Sequence, residues 1–277
     1  MKIAFIVQRY GTEILGGSEY HCRLIAERLA PRHHVEVLTT CAQDYVTWKN
    51  EYAEGSDRVR GVTVRRFANS RTRDIHAFNR YSEWIFNNAH SRDDEMEWLR
   101  QQGPWCPPLL EYIERNQHQY DVLIFFTYLY APTVVGAKIA PHKSILVPTA
   151  HDEPAIHLDI YKELFSLPAG LAYNTEVERR FLTTHFSIRA IEEETIGCGV
   201  DLPHAQEYPR EHAARPAGDA DDSADDQAVV DDPSPTWRPH LAHRGTMFRR
   251  RHRLHGPIAL YGGRIDPGIS GGPLLLR

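Results

Sequence analysis

Short apolar runs alternate with stretches of helical periodicity through the first 200 residues, and this alternation constrains the chain more than any other feature. Runs rich in β-branched and aromatic residues, bounded by turn residues and followed by helical segments, are the pattern of parallel strands covered by helices on both faces. The runs at 3–7, 34–39, 62–67, 122–127, 144–148, 171–173 and 194–196 are predicted strands. Helices are expected over 18–30, 82–101, 107–117, 132–140, 156–167 and 175–185. Pro31, Pro141 and Pro168 fall where a helix must already have stopped, and Thr175 with Glu178 has the spacing of a capping box. Strand and helix in this order make a doubly wound α/β domain over residues 1–201, a Rossmann-like fold whose ligands gather at the carboxyl ends of the strands.

Composition narrows the function classes. The 277 residues carry a net charge of −5, with 42% hydrophobic and 25% charged residues. That balance excludes a collagen-like, coiled-coil or wholly disordered chain and gives no argument for nucleic acid. Cys22, Cys41, Cys106 and Cys198 form no CxxC pair, so neither zinc nor a disulfide framework is indicated. They are read as small buried side chains in a chain of the reducing cytoplasm. The apolar start at 3–7 is too short for a signal sequence, and the apolar window 122–140 is interrupted by Pro132, Gly136 and Lys138, so no transmembrane segment is expected. Beyond residue 201 the pattern changes. Residues 217–232 are Asp- and Ala-rich, the stretch to 255 is rich in Arg, His and Pro, and 202–256 is expected to be a linker or disordered insertion. A further strand is expected at 257–261.

Four motifs could carry chemistry. Gly11-Thr12-Glu13-Ile14-Leu15-Gly16-Gly17-Ser18-Glu19 joins the first strand to the first helix. Its paired glycines permit close backbone approach at a helix N-terminus, which suits a phosphate or a sugar hydroxyl; a plain flexible connection is the alternative. It is neither GxGxxG nor a P-loop, which removes the best support for an NAD or ATP enzyme. His151-Asp152-Glu153 follows the strand at 144–148, at the ligand-facing rim. There His151 could orient a sugar, with Asp152 fixing its tautomer or capping the next helix; a helix cap beside a surface histidine is the alternative. Seven arginines between 58 and 80 could meet an anionic acceptor or membrane, but such a run is more often a solvated face. The fourth motif, Tyr261-Gly262-Gly263-Arg264-Ile265-Asp266-Pro267-Gly268, ends a strand in two glycines and an arginine able to hold a diphosphate.

Taken with the loop at Gly16 and Gly17, the strand ending in His151-Asp152, and the segment Ile196-Gly197-Cys198-Gly199-Val200-Asp201, this last motif resembles the family 4 glycosyltransferases of the GT-B fold. The resemblance implies two facing Rossmann-like domains and retaining transfer of a sugar from a nucleotide-diphosphate sugar to a glycan or lipid-linked acceptor. It implies no metal and no further cofactor. Gly16, Gly17, Glu19, His151 and Asp152 then fall on the donor- or acceptor-binding side of the first domain, and Arg264 on the donor diphosphate. Peripheral contact with a membrane stays open.

The departures matter as much. The family continues Arg-x-x-Pro-Gly-Lys-Gly, whereas Ile269 stands in the place of the lysine, and the second domain's Glu-x7-Glu pair has no counterpart. Glu19 and Glu27 share that spacing but lie in the first helix, where eight residues merely repeat a helix face. No catalytic residue is assigned. Residues 257–277 look like the truncated start of a donor domain, as a premature stop or a frame change after Gly268 would leave it. The chain is expected to be inactive alone; the alternative is a non-catalytic module that binds a glycan or other acceptor.

Overall fold

The fold comes from a computed structural model, which describes residues 1–199. Eight strands build one sheet: β1 (Lys2–Ile6), β2 (His34–Thr40), β3 (Gly55–Val59), β4 (Val62–Phe67), β5 (Val122–Phe126), β6 (Ser144–Val147), β7 (Gly170–Tyr173) and β8 (Glu192–Thr195). The order is β3-β4-β2-β1-β5-β6-β7-β8, parallel throughout except for β3 against β4. The α-helices among the described residues are α1 (Gly17–Leu29), α2 (Ile75–Asn87), α3 (Arg92–Gln102), α4 (Pro107–Asn116), α5 (Ala131–Gly136), α6 (Asp159–Phe165) and α7 (Glu176–His185). The expected α/β Rossmann-like fold is present.

The two-residue period of the strands sorts their side chains between two cores. Ile3, Phe5 and Val7 of β1 and its extension join Val35, Val37, Val62, Val64 and Phe126 under α1, whose small inward residues Cys22 and Ala26 let the helix sit close. Ala4 and Ile6 point the other way, into the larger core with Leu123 and Phe125 of β5 and the aromatic residues of α2–α6. Register follows from this division. Phe5 lies opposite Val37 on one side and Ile124 on the other, and a one-residue slip would exchange the two faces.

The structure departs from the sequence reading at four places. The helix expected over 82–101 is two helices, α2 and α3. Asp74 caps the first by accepting from His76 and Ala77 N–H at 3.0 Å, and a Ser91–Asp94 capping box opens the second. Folding back on itself lets Trp98 pack on Phe78 and Phe86 and donate to Ser82 Oγ at 2.8 Å. The helix expected over 156–167 is a 3-10 turn, Pro154–His157, followed by α6. Its N-terminal residues lack a local cap, and Glu95 of α3 accepts from Asp159 and Ile160 N–H instead, at 2.8 and 2.9 Å.

The third difference is β3, a polar edge strand that no apolar run announces. It is joined to β4 by Arg60 and Gly61, at φ 46° and 85°, the left-handed pair that a tight hairpin needs. The fourth concerns the arginine run, which is not simply a solvated face. Arg66 is 3% exposed, paired with Asp57 at 2.6 Å and donating to Tyr10 O; Arg73 is buried and donates to the carbonyls of Tyr45, Val46 and Gln102. Cys22, Cys41 and Cys106 are buried as expected, and burial pushes the Cys106 thiol up to about 12; Cys198 is exposed. The linker at 202–256, the strand at 257–261 and Arg264 lie outside the described residues.

Candidate functional site

The chain leaves β1 through α1 toward β2 and β4, and leaves β5 in the opposite direction toward β6, β7 and β8. The carboxyl ends of β1 and β5 are thus a topological switch point, where the connections diverge and open a crevice above the sheet. Residues 7–16 approach it from β1, 127–130 from β5 and 148–153 from β6. Two of these turns begin in left-handed backbone. Thr127 has φ 68° and Thr149 has φ 53°, conformations that cost a residue other than glycine on the order of 1–3 kcal/mol each. Gln8, 2% exposed just past β1, leaves its Oε1 without a hydrogen-bond partner among the described residues, as do Thr127 Oγ1 and Asn174 Oδ1. Unsatisfied polar atoms gathered at strand ends are what a polar ligand would complete.

The glycine turn has an internal cause. Gly16 is the residue before α1, at φ −63° and ψ 137°, and Gly17 is the helix's exposed first residue. Directly beneath Gly16, Arg9 Nη2 meets Glu19 Oε1 at 2.6 Å, Arg9 Nε reaches the same oxygen at 2.9 Å, and Ser18 Oγ donates to Oε2 at 2.8 Å. A Cβ on Gly16 would land on Glu19 Oε2, 2.8 Å from Cδ and 3.0 Å from Arg9 Nη2. Glu19 is accordingly turned inward, with its carboxylate committed to Arg9, and what the turn presents outward is the backbone of Gly16 and Gly17. Arg9 also donates to Gln43 O at 2.8 Å, tying the turn to the segment after β2.

At the end of β6, His151 is the exposed member of a small network, with 54% of its side chain accessible. Its Nε2 lies 3.8 Å from Glu153 Oε2, while the buried Tyr128 hydroxyl donates to Glu153 Oε1. Burial raises the Glu153 carboxyl above its ordinary value, opposed by the Tyr128 bond and the charge of His151. Glu178 of α7 is raised by burial as well. It accepts from Ala150 and Asn174 N–H, each at 2.6 Å, and so fixes the turns after β6 and β7 together. Thr175 Oγ1 accepts from Glu178 N–H at 3.0 Å, half of the expected capping box; the carboxylate is used on the rim instead. Asp152 neither fixes the His151 tautomer nor caps a helix. It is exposed and lies 2.8 Å from His157 Nε2.

The predicted residues fall into two groups at one end of the sheet: Gly16, Gly17 and Glu19 after β1, His151 and Asp152 after β6. Both strands flank β5, so two strand spacings, about 10 Å, separate them. Gln8, Thr127, Tyr128, Glu153 and Glu178 were not singled out as site residues. Glu153, adjoining His151-Asp152, and Glu178, in the capping-box spacing with Thr175, carried local signals, though the latter pointed to a helix start and not to the rim.

No protein-family model matches the chain, and no curated protein matches it. Among solved structures, sucrose-phosphate synthase from Thermosynechococcus elongatus is similar at 14% identity and a TM-score of 0.46, over 72% of this chain and 48% of that one. The chain thus spans about half the length of that synthase. Among the described residues, no three His, Cys, Asp or Glu side chains are grouped to hold a metal ion, and no helix is long and apolar enough to cross a membrane.

Proposed function

We propose that residues 1–199 form the acceptor-side half of a sugar-transferring enzyme of the GT-B type, working by retaining transfer from a nucleotide-diphosphate sugar. The observation that carries this reading is the exposed His151 ring, backed by Glu153, at the same rim as the unpaired Gln8 Oε1 and Thr127 Oγ1 of the switch point and Asn174 Oδ1 after β7. Gln8 Oε1 and Asn174 Oδ1 can only accept hydrogen bonds and Thr127 Oγ1 can also donate; all three atoms are buried, so a ligand hydroxyl bonds them once the rim turns part to admit it. A ring nitrogen of His151 is placed to hydrogen-bond a sugar hydroxyl, with Glu153 Oε2 3.8 Å from its Nε2. The backbone of Gly16 and Gly17 at the start of α1 supplies a close approach for a hydroxyl or phosphate oxygen.

Arg264 belongs to the donor side in this reading. Ile269 in the position of the family's lysine removes one diphosphate contact, so the 277-residue chain is expected to bind acceptor and turn over little. The same substitution favours a second reading, a glycan-binding module without transfer. Saturation-transfer NMR of the full chain against mono- and oligosaccharides, with and without nucleotide-diphosphate sugars, tests both. His151→Ala should abolish the saccharide signal at an unchanged melting temperature. Absence of any saccharide or nucleotide-sugar signal, or an unchanged signal in His151→Ala, would refute the proposal. Binding that never depends on a nucleotide sugar, with no transfer product, would select the module.

A further inference from the structure

We propose that a second cleft, at the amino end of the sheet and opposite the candidate site, binds a phosphate-bearing small ligand. The cleft measures about 530 Å³ and is formed where α1 ends, β2 begins and the β3–β4 hairpin turns. That volume is within the range of small-molecule sites. Arg32, His33 and His34 reach it from the turn after α1, Arg58 from β3 and Thr63 from β4, with Val35 providing an apolar wall. Among the described residues no carboxylate lines it.

The fold assembles these cations from separate parts of the chain. Because β3 runs antiparallel, its carboxyl end lies at the amino ends of β2 and β4, and Arg58 stands opposite Thr63 in the ladder. Thr63 in turn stands opposite Glu36 of β2, two residues past His34. The neighbouring acids are all engaged elsewhere: Glu36 with Arg65 and the Tyr120 hydroxyl, Asp57 with Arg66, Glu27 with Arg23 and Arg60. The side chains of Arg32 and Arg58 have no ion-pair partner among the described residues. The Nδ1 of His33 is buried and also unpartnered.

A simpler explanation covers part of this cluster. Cations are favourable at a helix C-terminus, and α1 ends here. Two of the last carbonyls of α1 are already satisfied, however, since Arg32 and His33 N–H both donate to Leu29 O at 3.0 Å and Ala30 N–H to Ala26 O. Arg58, on another element, gains nothing from the helix end. Two guanidiniums and two imidazoles around one opening, with a hydroxyl and no competing carboxylate, are the donor set for phosphate oxygens.

The test titrates the full 277-residue chain with inorganic pyrophosphate, followed by calorimetry and by the imidazole NMR signals of His33 and His34. Saturable binding is expected, with both imidazoles shifting, and the pair Arg32→Gln with Arg58→Gln should weaken it at least tenfold. Arg115→Gln, exposed on α4 and paired with Glu111, should change it less than twofold. A parallel arm measures co-sedimentation with phosphatidylcholine vesicles containing phosphatidic acid. Sedimentation lost in the double variant, without pyrophosphate binding, would assign the phosphate to a lipid headgroup and uphold the site. Binding to neither probe, or equal weakening by Arg115→Gln, overturns the proposal. Failure of sugar binding at the opposite rim would leave these outcomes unchanged.

Discussion

Replacing Gly16 with alanine separates two explanations of the glycine turn, close ligand approach and internal packing. The backbone at φ −63° and ψ 137° is open to any residue, so conformation alone predicts a gain of about 0.4–1 kcal/mol from a stiffer unfolded chain. The packing predicts the reverse. The new Cβ collides with the Glu19 carboxylate, which three hydrogen bonds hold in place, and relief requires breaking the nearly buried Arg9–Glu19 pair. Disrupting a buried pair costs about 3–5 kcal/mol. Offsetting the entropic gain leaves a net loss of about 2–4 kcal/mol, or a melting point lower by roughly 4–16 °C for a domain of this size. Urea unfolding of wild type, Gly16→Ala, Glu19→Ala and the double variant closes the cycle. With Glu19 truncated, the alanine at 16 should become neutral or stabilising. If Gly16→Ala is as stable as wild type, or loses the same amount in both backgrounds, the packing argument is wrong.

Three other outcomes follow from the buried polar groups. Glu153 has a folded-state value above 4.5, so the folded form holds the proton more tightly than the unfolded one. Its contribution is fully present below about 4.5 and lost as pH rises through the folded value, and Glu153→Gln should flatten that decline in urea midpoints measured against pH. Ser82→Ala strands the buried Trp98 indole N–H and should cost about 1–3 kcal/mol in the same unfolding assay; an unchanged midpoint would refute the role of that bond. Glu95→Ala uncaps α6, with an expected loss of about 1–2 kcal/mol and faster amide exchange at Asp159 and Ile160.

The inner parallel strands β1, β2, β5 and β6 were legible because they are largely buried on both faces and so read as apolar runs. β3 was not, because an edge strand bonded on one side and wetted on the other needs no apolar residues. The break between α2 and α3 was spelled out as Ser91-x-x-Asp94, yet the helical periodicity on either side concealed it. Burial of Arg66 and Arg73 depends on carbonyls from residues far off in the chain, which no local pattern encodes. At the rim, His151 could be placed because it follows a strand directly. Tyr128 and Glu178 could not, since their relation to that turn arises only when β5, β6 and α7 come side by side.

Glu178 holds the amides of Ala150 and Asn174 at once, so one carboxylate in the first turn of α7 fixes the turns after β6 and β7 to each other. Asn174 Nδ2, donating to Thr149 Oγ1 at 3.3 Å, adds a second link between the same two turns. The rim that carries His151 is therefore braced from the first turn of α7, where the exposed Val177 adjoins the bracing carboxylate.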